Sequence, residues 1–392
     1  MKKRKYFTQQ IQFKQQIMAI EIKEVQTKKD LKKFVRFPIG LYKGNPCFCP
    51  PLVLDELNTL SKKNPAFETS ECVLYLAYKN GKIVGRIAGI VNRVANEKWN
   101  VNKVRFGWID FIDDTEVSNA LFEAVREWGK SKGMNQMNGP VGFTDYDHQG
   151  LMLEGFEHNA PMVSLYNYEY YIKHFEKYGL EKEVDWIEFK ITPPPAVPER
   201  MDRVAQLVMT KYNLKVDKVR SIKELKAKYG YSYMDVLDES YQPLYNYSPL
   251  TEKQKRYYAD TNLSMINFDF ITVVTNENDE IVGVGVGMPN ISEALRKCNG
   301  KLLPFGFIRI IRALKAKKMD KFDLLLIAVR PDYQNKGVNA LFFYDQIPYF
   351  VKYGIKEVNT TAILETNSKN IANYELFDKE QHKRRRAYIK DI

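Results

Sequence analysis

Histidine and cysteine are scarce in this chain, with four of each among 392 residues. Cys47 and Cys49 are one residue apart, while Cys72 and Cys298 stand alone. No second close pair faces the first, which excludes a disulfide framework and a zinc site. Four histidines are too few for a His-rich metal cluster, so no metal is expected. Reduced thiols suit a cytoplasmic location, which is the expectation. No run of 18 apolar residues occurs, so no transmembrane helix is expected. The opening MKKRKYFTQQIQFKQQIMAIEIKEV is basic and polar and lacks an apolar core, so it does not read as a signal peptide. Residues 1–18 read as a disordered arm or an upstream extension. Acidic residues are in deficit, 48 against 60 basic ones, for a net charge of +12. Such a field concentrates phosphates, nucleotides, nucleic acid or anionic lipid without choosing among them.

A chain of this length exceeds one ordinary core, and two domains are the natural expectation. The Pro-rich stretch Thr192-Pro193-Pro194-Pro195-Ala196-Val197-Pro198 fits neither a helix interior nor a central strand and reads as a linker. The halves on either side repeat local patterns. Ile83–Asn92 and Ile281–Asn290 each read as the glycine-bearing second strand of a hairpin. Asn119-Ala120-Leu121-Phe122 and Asn339-Ala340-Leu341-Phe342 each open a predicted helix that follows an apolar strand and ends near Gly133 or Gly354. Matches in the same order indicate duplication. The fold class is therefore α/β with a mixed sheet. The expected division is 19–191, a linker over 192–200, and 201–392.

The pattern that carries chemistry is an apolar strand, Leu324 to Val329, broken by Pro331 and followed by a polar turn into a helix. Helix N-termini leave N–H groups unpaired and carry partial positive charge, so they ligate phosphate. Gly337 admits close approach of an anion, and Lys336 adds a charge beside it. This stretch resembles the cofactor loop of the GNAT acyltransferase superfamily, Gln/Arg-x-x-Gly-x-Gly/Ala. Gln334 and Gly337 match that pattern, and Asn339 departs from it. Downstream, after a predicted strand over Glu357 to Leu364, Asn367 and Tyr374 match the superfamily's Asn-x-x-Ala-x-x-x-Tyr, with Asn370 in place of Ala. The resemblance implies two tandem GNAT-like acyl-CoA N-acyltransferase domains. It implies cofactor contacts from Ile327, Ala328, Val329, Gln334, Asn335, Lys336, Gly337, Val338, Asn339, Asn367 and Asn370. It also implies that Tyr374 protonates the departing thiolate. In the first half the same alignment sets Asp114 opposite Gln334, Glu116 opposite Lys336 and Val117 opposite Gly337. Phe175 stands at the proton-donor position. That copy reads as degenerate, without a cofactor site.

The implied activity is acyl-CoA-dependent N-acyl transfer, acetyltransferase-like, to an amine or hydroxyl acceptor, with acyl-CoA as substrate and no metal. The alternatives are an aminoacyl-tRNA-dependent aminoacyltransferase of the peptidoglycan-bridge type and a non-catalytic binding protein of the same fold. Glu365, at the end of the predicted strand, is the candidate general base. Three other features are open to either a functional or a structural reading. Thr144-Asp145-Tyr146-Asp147-His148 reads as a base or metal corner, as a solvated Asx-capped turn, or as the lining of an acceptor pocket between domains. The basic and apolar segment 301–318 lies in an insertion over 291–320. It either caps the core or borders an amphipathic acceptor or a membrane surface. The run Lys383-Arg384-Arg385-Arg386 reads as a solvated strand and shows no aromatic interleaving for nucleic acid. The expected partner is a small-molecule or amphipathic acceptor.

Overall fold

The computed structural model describes residues 19–262 and 266–392. The reading of residues 1–18 lies outside them. The first half contains β1 (Glu21–Glu24), α1 (Lys28–Leu41), α2 (Val53–Thr59), β2 (Ser70–Lys79), β3 (Lys82–Asn92), α3 (Arg93–Trp99), β4 (Lys103–Phe111), α4 (Thr115–Ser131), β5 (Gln136–Gly139), β6 (Leu151–Glu154), α5 (Tyr170–Lys177) and β7 (Glu181–Thr192). Local chemistry sets these boundaries. The β2–β3 hairpin turns on Asn80-Gly81, both at positive φ, which matches the strand twist. α4 starts where the Asp114 side chain accepts the Glu116 N–H at 2.9 Å. The repeat Asn119–Phe122 therefore lies a turn inside this helix and does not open it.

Residues 193–198 then lead into the second half. It contains α6 (Glu199–Tyr212), β8 (Lys215–Asp217), α7 (Ile222–Tyr229), α8 (Ser232–Tyr241), α9 (Glu252–Asn262), β9 (Ile271–Thr275), β10 (Ile281–Pro289), α10 (Ser292–Cys298), α11 (Gly306–Leu314), β11 (Lys321–Val329), α12 (Asn339–Tyr353), β12 (Glu357–Thr360), β13 (Ile363–Leu364), α13 (Ser368–Ala372) and β14 (Asp378–Asp391). The single strand expected over 357–364 is thus two. β12 runs parallel to β11, whereas β13 turns away to pair with β7.

The described strands join one 14-stranded sheet in the order β1-β2-β3-β4-β5-β14-β7-β12-β11-β10-β9-β8, with β6 and β13 attached beside it. The two halves exchange their last strands. β14, from the end of the chain, lies against β5 of the first half, and β7 lies against β12 of the second. The two exchanged strands pair with each other along most of their length. Each half's sheet is thus completed by the other's final strand.

Helices cover both faces. In the first half, Val117, Leu121, Phe122 and Val125 of α4 pack on one face, and Phe34 and Val35 of α1 on the other. In the second half, Leu341, Phe342, Ile347 and Phe350 of α12 fill one side, and Tyr233, Met234 and Leu237 of α8 the other. Four basic residues near the C-terminus do not form the solvated strand their charge suggested. They sit at the centre of the sheet on β14. Lys383 and Arg385 are buried at 2% and 1% exposure. The Arg385 Nε donates to Glu188 at 2.5 Å, and Arg386 forks onto Asp185 at 2.7 and 2.9 Å. The carboxylates come from β7, so the strand exchange brings the opposite charges together. Removing Glu188 alone would leave two buried cations uncompensated, at a cost of about 3–5 kcal/mol.

Candidate active site

β11 and β12 pair only from Lys321–Glu357 to Leu324–Thr360. Thr361 holds the parting point, its N–H donating to the Leu324 carbonyl at 3.2 Å and its hydroxyl to the Leu325 carbonyl at 3.1 Å. Beyond it β11 continues to Val329 while the partner strand bends to β7. The gap opens into a cavity of about 1290 Å³, bordered by Leu325, Leu326, Ile327 and Val329 on one side and Thr361–Leu364 on the other. β11 stays in place because its other edge is laddered to β10 from Phe322 to Val329, with one bulge at Leu325.

At the far end of β11 the chain makes the predicted turn. The Gln334 side-chain amide donates back to the Val329 carbonyl at 3.1 Å and closes it. Asn335 and Gly337 both take positive φ, at 60° and 79°. A Cβ at Gly337 would also stand 3.0 Å from Val208. α12 then begins with no side-chain cap. Among the described residues, the N–H groups of 335–339 find no acceptor in the protein. This unpaired row at a helix N-terminus lies in the cavity wall, with Gln334, Asn335, Gly337, Val338 and Asn339 all lining it. Such a row ligates phosphate oxygens. Lys336 does not line the cavity. Its ammonium lies over the Tyr333 and Tyr212 rings, at 4.7 and 5.3 Å, and contributes its charge from behind the loop.

The second motif faces the first across the opening. Asn367 caps α13 by accepting the Asn370 N–H at 3.1 Å, and both residues line the cavity. The two positions that depart from the superfamily pattern are linked. Asn339 donates to Asn373 at 3.0 Å, and Asn373 donates to Asn370 at 3.4 Å. Polar side chains thus tie the turn to α13. Tyr374 follows, 3% exposed and packed between Phe189 and Phe343, and it lines the cavity. Burial raises its pKa, and the neighbouring Tyr241 raises it further. Its hydroxyl therefore stays protonated at neutral pH.

The first half supplies the opposite wall. Asp145, Tyr146, Asp147 and Gln149 line the cavity with Tyr241, Tyr245 and Tyr258 of the second half. Arg105 fixes this loop by donating to the Gly142 and Phe143 carbonyls and to the Asn246 carbonyl, at 3.1, 3.0 and 2.9 Å. Asn92 adds bonds to Phe143 and Ser248 at 2.9 and 3.0 Å. Asp145 Oδ1 accepts from Gln149 at 3.3 Å, while its buried Oδ2 has no hydrogen-bond partner in the protein. Burial raises the Asp145 pKa, and Arg105 opposes that shift. Burial pushes Asp147 up to about 7. The Tyr241 hydroxyl stands 3.5 Å from the Ile327 carbonyl oxygen on β11, and burial and Asp145 both raise its pKa. Asp145, Tyr241 and Tyr374 thus share one cavity.

Several expected roles change. Glu365 does not line the cavity. Its two carboxylate oxygens accept from Lys182 and Arg384 at 2.6 and 2.8 Å, and these cations hold its pKa below the usual range, so it makes a poor base. Ala328 turns its side chain into the core beneath α8 and α9, so any cofactor contact from it is through the backbone. The insertion does not border the acceptor space. α10 and α11 pack behind Met288 and Leu325 against first-half residues such as Tyr42 and Leu52. The cavity tyrosines were missed. Their one signal was a local density of tyrosine over 229–258, which has no motif spacing.

No protein-family model matches the chain. It is 29% identical over 374 residues to Protein YghO of Escherichia coli K12, covering 93% of this chain and 94% of that one. It is 28% identical over 325 residues to the bacterial ceramide synthase of Caulobacter vibrioides, covering 79% and 80%. Among solved structures, a tandem GNAT protein from the clavulanic acid biosynthesis pathway superposes with a TM-score of 0.56 at 10% identity, over 95% of this chain and 98% of that one. With the parted strands, the open helix N-terminus and the repeated halves already described, this likeness establishes the fold: the chain has a tandem GNAT fold.

Proposed function

We propose that the protein transfers an acyl group from a coenzyme A thioester to the amine of a long-chain amphiphile. The observation that carries this reading is the opening between β11 and β12. It ends on the unpaired N–H groups of 335–339 and continues into the cavity that holds Tyr374. The pyrophosphate sits on the turn, and the pantetheine arm runs between the parted strands toward Tyr374. The acceptor enters from the wall of tyrosines and apolar residues such as Met234, Leu237 and Leu244. Such a lining suits an apolar chain better than a polar metabolite. The ceramide synthase relative supports the same acceptor class.

The chemistry needs one base and one acid. Asp145, with a raised pKa and a free oxygen, takes the proton that the ammonium must lose before attack. The amine nitrogen bonds to the thioester carbonyl carbon, and main-chain amides near Ala328 and Val329 stabilise the oxyanion. The C–S bond breaks, Tyr374 protonates the thiolate, and the nitrogen's second proton passes through the cavity to the Tyr374 phenolate, leaving a neutral amide and free coenzyme A, while Asp145 gives its proton to solvent. The test is transfer from radiolabelled acyl-CoA to a panel of amines, with Tyr374→Phe alongside. Turnover should prefer long-chain amines and fall about 10²-fold in the variant, with coenzyme A affinity nearly unchanged. Full activity in Tyr374→Phe would reduce that residue to packing. Absence of coenzyme A binding would remove the whole reading.

A further inference from the structure

Segment 299–319 has a buried side and an exposed side of different character. Ile310 of α11 is 4% exposed and packs with Leu295 and Ile291 of the α10 region, next to Met288. The opposite side leaves Leu303, Phe305, Phe307 and Ile311 exposed at 77%, 68%, 41% and 46%. Scattered apolar residues are ordinary on a protein surface, but a run of large ones on one short segment marks a contact surface.

The charge around this edge points to the occupant. Lys301, Arg309, Arg312, Lys315, Lys317 and Lys318 flank it, with no acidic residue between Asn299 and Met319. Arg309 and Lys318 donate to the carbonyls of Lys297 and Lys352, at 2.7 and 3.3 Å, which leaves their charge unneutralised. Among the described residues, none of the six cations has a carboxylate within ion-pair distance, whereas Lys297 and Lys321 at either side are paired. A second copy seated on this face would bring the same cations into contact and be repelled. An anionic leaflet satisfies both features. Headgroups take the basic rim, and the aromatic and aliphatic side chains enter the boundary with the acyl chains.

We propose that this face docks on an anionic phospholipid bilayer, with Leu303, Phe305, Phe307 and Ile311 inserted and the six cations on headgroups. The buried side of the same segment rests on Met288 and near Leu325, which line the cavity, so the docked face backs onto the cavity wall. An amphiphilic acceptor would be held in the membrane that this face meets. The docking itself does not depend on acyl transfer.

The experiment is co-sedimentation of the full chain with phosphatidylcholine vesicles, with and without phosphatidylglycerol. Binding should require the anionic lipid and weaken as salt rises, because screening shortens from about 10 Å at 0.1 M to about 3 Å at 1 M. Leu303→Ser combined with Phe305→Ser should weaken it at least about tenfold. Arg312→Glu with Lys315→Glu should weaken it further, since each cation near such a surface is worth about fivefold. All four side chains are exposed, so thermal melting should be unchanged. Failure of the wild-type chain to sediment with anionic vesicles, or equal binding by the double-serine variant, overturns the proposal. So does a stable dimer in sedimentation velocity that the double-serine variant dissociates. Transfer to a short soluble amine without vesicles reports on the acyltransferase reading alone.

Discussion

The same strand parting occurs in both halves of the molecule, and only one copy is open. In the second half, β11 and β12 separate after Leu324 and leave a cavity. In the first half, β4 and β5 pair from Lys103–Gln136 to Arg105–Asn138, after which the chain over 139–142 lies back against β4. The Val141 N–H donates to the Phe106 carbonyl at 2.9 Å. A Cβ at Gly139 would stand 2.2 Å from that carbonyl, so the space is occupied by backbone. The helix N-termini differ in the same sense. Asp114 caps α4, and Lys79 bridges Asp114 and Glu116 at 2.7 and 3.3 Å, so an anion meets carboxylates there. α12 has no cap, and its N–H groups face the cavity. One copy of the fold thus keeps an open gap. The other spends the same gap on its own backbone and contributes Asp145 to its sister's cavity.

The sharpest way to break this comparison is to make the open turn resemble the closed one. Gly337→Glu in the full chain should abolish coenzyme A binding by calorimetry, at least about 100-fold weaker, through a carboxylate near the pyrophosphate and a side chain at positive φ. Binding that survives unchanged would mean the turn is not the phosphate site. Asp145→Asn tests whether the closed half serves the open one. Turnover should drop about 10²-fold while coenzyme A affinity holds, and the acidic limb of the pH–rate profile should lose its dependence on this group. A wild-type profile in the variant would return the base to an unidentified group.

Smaller effects sharpen the picture. Asn373→Ala cuts the bridge from Asn339 to Asn370 and should weaken coenzyme A several-fold, about 1 kcal/mol, with the melting temperature little changed. An unaltered affinity would make the bridge incidental. The last effect is confined to stability. Asp147 has its pKa raised from 3.8 to about 7 in the fold. Between those values the folded state holds more protons than the unfolded one, so this group's contribution to stability falls as pH rises through the window. Asp147→Asn removes that loss. Its stability relative to the parent chain, from urea unfolding, should rise between pH 4 and 7 with a slope of at most about 1.4 kcal/mol per pH unit. A difference that is flat with pH would place Asp147 in an unperturbed environment.

Sequence alone went a long way toward the local geometry of the open turn. The apolar run before Pro331, Gln334 and Gly337 at their spacing, and Asn367 with Tyr374 are local signals, because strand, turn and cap chemistry act over a few residues. The closed character of the first half was likewise legible in Asp114, Glu116 and Val117. The choice of Glu365 as base failed because its neighbours Lys182 and Arg384 are remote in sequence and meet it only across the sheet. For the same reason Lys383–Arg386 read as a solvated run. Their partners Asp185 and Glu188 lie on β7, nearly two hundred residues earlier, and only the strand exchange sets them opposite. The Asp145 cluster could be offered as a base or a pocket lining but not chosen over a solvated turn, since its place depends on Arg105 and Asn92 holding a loop against the other half. Local sequence determined the strand end, the turn at Gln334–Gly337 and the cap at Asn367. Tertiary structure decided which carboxylate shares their cavity and which basic residues are buried, because burial and pairing depend on contacts between distant segments, which a single chain's local pattern does not record.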